Sequence, residues 1–300
     1  ISACLVGSEM CIRDRYMASM KDIKRRKESI QSTGQITKAM KLVATVKLQK
    51  ARGRAESAKP YFDAMYETVS TMLARTGDIN HRYLKAGDTN KKAIIVITAN
   101  RGLAGGYNSG ITKLVANYGI PKEDMVIYAV GTKGRDFFIR RNYEIAEDYS
   151  EVINEPMYSD AMEIGSRVLK DFEEGRVGEI YLAYTSFKNT VVHTPEMIKL
   201  LPMNSSEHKE AKDADDLMTY EPCEEEALDI IIPKYINSLI YGALTESVAS
   251  ENGARMTAMD NATSNAEEMI SDLALKYNRA RQSSITQELT EIIAGANAIS

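Results

Sequence analysis

Ile285-Thr-Gln-Glu-Leu-Thr-Glu-Ile-Ile-Ala-Gly-Ala-Asn-Ala298 closes a run, residues 234–300, that holds no proline. The other end behaves alike, with no proline across 17–59, so all seven prolines fall in the middle of the chain. Proline lacks a backbone donor and clashes inside a helix, so this distribution predicts two long terminal helices bracketing a compact domain. One helix over the C-terminal run would reach roughly 100 Å at about 1.5 Å per residue. No single globular domain of this size buries such a rod. The pattern calls for an enclosing neighbour, and so for a part of a larger assembly rather than a free-standing enzyme.

The two ends carry matching stripes. In the first segment Ile23, Ile30, Ile36, Met40 and Val43 fall on one side of a helix, continued by Ala44, Ala51 and Ala58. In the last, Ile236, Ile240, Ala243, Ser247, Ala254, Ala258, Ala262, Met269, Leu273, Tyr277 and Ala280 keep three-and-four spacing. Such spacing favours a long antiparallel coiled coil of the N- and C-terminal helices, assigned here to 17–75 and 223–298. Alanine and serine dominate the middle of the seam, which allows close approach but buries little apolar area.

Between the helices the periodicity changes. Ala93-Ile-Ile-Val-Ile-Thr98, Met125-Val-Ile-Tyr-Ala-Val130 and Glu179-Ile-Tyr-Leu-Ala-Tyr-Thr185 read as buried strands, and helices fit near 107–118, after Gly134 and near 158–173. Residues 190–203 hold a further candidate strand. Strands alternating with helices make β-α-β units, so 88–205 is expected to be a Rossmann-like α/β domain with a parallel sheet.

The chemistry-bearing motifs are weak. Asn100-Arg-Gly-Leu-Ala-Gly-Gly106 and Gly131-Thr-Lys-Gly134 fit neither phosphate-binding glycine pattern, and glycines at such turns serve positive φ and close helix–strand approach. His81, His193 and His208 stand apart from one another and from the cysteines, so no metal spacing arises. Glu224-Glu-Glu226 suits a solvated helix start. No catalytic residue, cofactor or metal is expected. Cys4, Cys11 and Cys223 make no disulfide framework. Residues 1–16 do not match the pattern of the remaining chain, and their apolar stretch is too short and poorly charged for a secretory signal. They read as a non-native leader, with Met17 or Met20 as the start.

Charge is uneven: 17–59 holds twelve lysines and arginines against Asp22, Glu28 and Glu56, on a chain whose net charge is −4. A basic first helix calls for an acidic partner, either an acidic protein ring or nucleic acid. A basic coiled-coil nucleic-acid-binding protein is therefore the alternative, although 17–59 lacks the aromatic residues of a single-strand reader. A nucleotide-dependent enzyme built on the middle domain is a second rival.

Three motifs in order resemble the gamma subunit of rotary F-type ATP synthases: Ile36-Thr-Lys-Ala-Met-Lys-Leu-Val43, Asn100-Arg-Gly-Leu-Ala-Gly-Gly-Tyr-Asn108 and the closing 285–298 segment. The resemblance covers about 17–300. It implies a non-catalytic central-stalk rotor that couples ion-driven rotation of a membrane ring to the catalytic ring. Its partners would be the alpha, beta and epsilon subunits and the membrane rotor ring, with no nucleic acid. It would lie peripherally at the cytoplasmic face of the bacterial plasma membrane, not inserted. By resemblance Arg281 and Gln282 meet a loop of one beta subunit, with Thr286 and Glu288 just beyond. Met40, Lys41 and Leu42 match the segment facing the beta subunit's acidic lever, and Tyr220 and Glu221 match the foot on the membrane ring. Leu42 stands where many relatives have methionine, a swap that conserves volume. Chloroplast members carry a regulatory dithiol; with Cys223 alone after the leader, thiol switching is not expected.

Overall fold

The computed structural model describes residues 20–75, 81–190, 192–203 and 223–299. In chain order the elements are α1 (Met20–Arg75), β1 (Lys92–Ile97), α2 (Tyr107–Ala116), β2 (Met125–Val130), α3 (Thr132–Arg140), β3 (Glu144–Asp148), α4 (Tyr158–Glu173), β4 (Glu179–Phe187), β5 (His193–Leu201) and α5 (Glu224–Ile299). The chain divides into two compact units. One holds residues up to Lys41 and from Met259 on, and the other holds Leu42–Ala258.

In the larger unit the sheet order is β3-β2-β1-β4-β5. The first four strands are parallel, but β5 runs antiparallel to β4, from Ile180↔Leu201 to Phe187↔His193. The sheet is thus mixed, which corrects the expectation of a parallel one. β5 comes after β4 by a short turn, and a short connection returns a strand antiparallel, whereas a parallel return needs a crossover. β3 is an addition that the sequence did not announce. Its Glu-Ile-Ala-Glu-Asp residues are half-buried or exposed at the sheet edge, so no apolar run marks it.

The middle strands are apolar throughout because both faces are covered. Ala93, Ile95 and Ile97 of β1 pack with α4, the end of α1 (Val69, Met72, Leu73) and the start of α5 (Leu228, Ile232, Ile236, Ile240). Ile94 and Val96 point the other way, onto Ile111 and Val115 of α2 and Phe138 of α3. Leu48, Ala51 and Ala249 form a smaller cluster between α1 and α5 within this unit.

In the smaller unit the two helical ends pair antiparallel. Thr37 Oγ1 lies 2.8 Å from Thr263 Oγ1, and Lys41 Nζ donates to Asp260 Oδ1 at 2.5 Å. Gly34 faces Ala266, so a Cβ at that glycine would sit 3.4 Å from the alanine methyl. Half-buried positions on this stretch of α1 are Met20, Ile23, Lys27, Ile30, Gly34, Thr37, Met40 and Lys41, a three-and-four alternation with Met40 beside it. Ile36 and Val43, which the sequence put in the seam, are both 58% exposed, and Met269 is 51% exposed while its neighbour Ile270 turns partly inward. At Ile36 the seam shifts to the neighbouring Thr37, where small and polar residues let the helices close and bond across.

Candidate functional site

Two glycine turns stand at the C-terminal ends of β1 and β2, where an α/β sheet ordinarily takes a ligand. Here their polar groups serve the fold. Gly131 has φ +114, and a Cβ there would lie 2.1 Å from the Thr98 carbonyl oxygen. The Gly134 amide donates to Thr98 Oγ1 at 2.9 Å. Asn100 ties the loops together: its Oδ1 accepts from the Thr132 amide (2.9 Å) and its Nδ2 donates to the Ser150 carbonyl (2.6 Å). The Ala99 amide donates to Asn108 Oδ1 (2.9 Å). The amides of Ala99, Thr132 and Gly134 are thus engaged within the fold.

The crossovers reverse between β1 and β4: α2 and α3 cover one face and α4 the other. That switch point is filled by α5. Ala254 packs against Ala99, Ala104 and Tyr107, and Ser250 Oγ donates to the Thr185 carbonyl at 3.0 Å. Arg255, paired with Glu251 (2.6 Å), reaches the Gly102 carbonyl at 3.4 Å. A helix of the chain itself stands where a nucleotide would lie. Among the described residues no group of three or more His, Cys, Asp or Glu could hold a metal ion.

The residues singled out in the sequence lie mainly on the two long helices. Met40 is half-buried, Lys41 is half-buried and paired with Asp260, and Leu42 is 64% exposed. Arg281, Gln282, Thr286 and Glu288 are all exposed. The Thr286 hydroxyl donates to the Gln282 carbonyl (2.9 Å), and Ser284 Oγ lies 3.5 Å from Glu288 Oε1. Tyr220 and Glu221 lie outside the described residues. From 285 to 297 every residue is exposed, yet Ile285, Leu289, Ile292 and Ile293 sit at 49–68% exposure with helical spacing. In the sequence this stripe looks like a continuation of the seam, and only its exposure sets it apart. Cys223 is exposed and free. No helix among the described residues is long and apolar enough to cross a membrane.

An α/β domain whose sheet crevice is packed by its own helix, with an exposed apolar helix end, has the build of a structural subunit of an assembly. Comparison with known proteins says which one. A family described as ATP synthase matches residues 19–299. An ATP synthase gamma chain of Lachnoclostridium phytofermentans is 70% identical over 290 residues, 94% of this chain and 100% of that one. The ATP synthase gamma chain, sodium ion specific, of Acetobacterium woodii is 42% identical over 298 residues, 94% and 99% of the two chains. A chain of the Tetrahymena thermophila mitochondrial ATP synthase central stalk and c-ring superposes with TM-score 0.58 at 26% identity, over 76% of this chain and 99% of that one. A chain of the Euglena gracilis mitochondrial ATP synthase superposes with TM-score 0.66 over 94% of each, at 20% identity, a likeness of fold. The chain belongs to the ATP synthase gamma chain family. It is a non-catalytic, peripheral stalk subunit, and the nucleic-acid reading finds no support.

Proposed function

We propose that the chain is the rotor of a bacterial F-type ATP synthase, coupling ion-driven rotation of the membrane ring to conformational change in the alpha/beta ring. The observation that carries this reading is the exposed apolar stripe Ile285, Leu289, Ile292 and Ile293, on a chain of this family. Contiguous exposed apolar surface marks a protein contact, and the alpha/beta ring would cover it. Met40, Lys41, Leu42, Arg281, Gln282, Thr286 and Glu288 are the catalytic-ring contacts, and Tyr220 and Glu221 the foot on the membrane ring. The epsilon subunit binds beside the α/β domain, and the assembly sits at the cytoplasmic face of the plasma membrane.

The rotor acts by differential affinity, since a partner shifts an equilibrium only by preferring one state. Moving a site from 1:99 to 99:1 takes about 5.5 kcal/mol. One neutral hydrogen bond contributes about 1 kcal/mol and a charged one about 1.5–3, so several contacts must share the work. Co-expression with alpha and beta subunits tests the reading. A defined assembly with ATPase activity that depends on this chain is expected, and it should be lost when residues 285–300 are removed. Assembly and activity indifferent to the chain would refute the assignment.

A further inference from the structure

We propose that the polar seam between α5 and the open edge of β4 is the joint by which the α/β domain grips the long helix, with Glu246, Ser247 and Ser250 as positioning residues. The proposal rests on the rotor reading above and deepens it. β4 outruns its parallel neighbour: the β1 pairing ends at Val96↔Ala183, while β4 continues to Phe187 with β5 alone on its other side. Backbone groups at residues 185 and 187 therefore face the β1 side with no strand to receive them. Buried backbone donors and acceptors need partners, and α5 supplies them. Ser247 Oγ accepts from the Thr185 amide at 3.5 Å, and Ser250 Oγ donates to the Thr185 carbonyl at 3.0 Å. Glu246 Oε2 accepts from the Phe187 amide at 3.4 Å. Two turns on, the Thr257 hydroxyl donates to the Thr190 carbonyl at 3.2 Å. One face of the helix takes the place of a sixth strand.

At its middle, around Thr185, the seam is closed to water and tight, while Glu246 and Thr257 at its ends are half-buried. Ser247 and Ser250 have no exposed surface. Gly253 lies between the bonding residues, and a Cβ there would fall 2.8 Å from His193 Cε1 and 3.4 Å from the Phe187 ring. Hydrogen bonds carry direction that apolar contact lacks. The Ala254 contact with Ala99, Ala104 and Tyr107 tolerates small sliding. The seryl and glutamyl bonds do so only by breaking, with buried groups then left unmet. A twist of the domain about the helix axis loads these bonds first. Added to the apolar packing of Leu228, Ile232, Ile236 and Ile240 in the core, they fix the angle at which a force on the domain turns the helix.

The test uses the whole ATP synthase in ion-tight vesicles, carrying Ser247→Ala with Ser250→Ala, Glu246→Leu, or Glu246→Gln, whose amide oxygen still accepts from Phe187. Expected are ATP hydrolysis close to that of the unmodified complex and fewer ions pumped per ATP in the double alanine and leucine variants, with pumping restored by glutamine. Amide hydrogen exchange at Thr185 and Phe187, read on the full chain, should rise about fivefold per lost bond. Faster exchange with unchanged pumping per ATP overturns the joint while leaving the rotor reading intact. Unchanged exchange overturns the seam itself. Failure of the unmodified chain to join the complex overturns the rotor reading and the joint together. Ser250→Ala alone, which removes a single hydroxyl, carries the same comparison if the double variant does not assemble.

Discussion

Glu179 shows how a residue at a strand end is held by its neighbours. Burial pushes its carboxyl up, but hydrogen bonds from Lys199, Lys92 and Tyr181 outweigh that and hold it at about 2. A depressed carboxylate contributes stability above its unfolded value and loses it as pH falls through the folded one. Glu179 should therefore make the unit acid-sensitive between 4.5 and about 2, and Glu179→Gln should flatten denaturation midpoints across that window. Glu246 behaves oppositely. Burial raises its pKa, only partly offset by the Phe187 amide and the Ser186 hydroxyl, and Glu196 raises it further. A raised carboxyl favours the protonated fold, so its contribution is full below 4.5 and lost as pH rises through the folded value. Glu246→Gln is expected to stabilise the chain at pH 7 and leave it unchanged at pH 4; equal effects at both would exclude titration of this group. Neither role was legible in the sequence. Both need cross-strand and cross-helix neighbours far away along the chain, whereas the turn glycines were legible because Gly131 answers a local demand, its positive φ.

Among the elements, those with strong local signals were read closely. Met125–Val130 and Tyr158–Glu173 follow an apolar run and a helical period. β3 lacked such a run, and β5, half-buried along most of its length, declared a strand but not its direction, which its short link to β4 decides. Most of the striped positions are buried or half-buried, Ile23, Ile30, Ala44 and Ala51 on α1 and Ile236 through Ala280 on α5, and three bulky ones are not. Bulk drew attention to Ile36, Val43 and Met269, but the interface selects Gly34, Thr37 and Ala266, where close approach and a hydroxyl pair decide the register. Prolines bounded the helices only loosely, since Pro60 lies inside α1 and Pro233 inside α5. A proline in a helix interior costs about 3 kcal/mol through a lost bond and a clash with the preceding turn. Pro60 is exposed, so alanine there loses no core packing. Pro60→Ala should raise the stability of the full chain by about 1–3 kcal/mol in chemical denaturation. A loss of stability would mean that the proline's local bend is needed for packing.

At the scale of the whole molecule the question is how a non-catalytic chain controls catalysis elsewhere, and the exposed residues of the two long helices bear on it. Arg281 and Gln282 carry no buried contact whose loss would unfold the chain. If several contacts share the work of a shift that takes about 5.5 kcal/mol, as proposed, Arg281→Ala or Gln282→Ala singly should weaken coupled ATP synthesis without abolishing it. Complete loss with assembly intact would contradict the shared-contact account.

The basic face of α1 gives a sharper test, because Lys41 already has a partner within the chain. Its pair with Asp260 is largely exposed, at 39% and 55%, and such pairs contribute about 0–1 kcal/mol. Reversal of Lys38 and Lys41 to glutamate should therefore disturb the fold little, yet present repulsion to an acidic catalytic-ring surface. Coupled hydrolysis should fall at low salt and recover partly as salt screens the charges within a Debye length of about 10 Å at 0.1 M. Adding Asp260→Lys separates the two causes: it restores the pair inside the chain and leaves residues 38 and 41 negative toward a partner. If that addition recovers activity, the damage lay in the helix pair. If activity stays low and salt-dependent, the charge acts between subunits, as a basic rotor helix against an acidic ring requires.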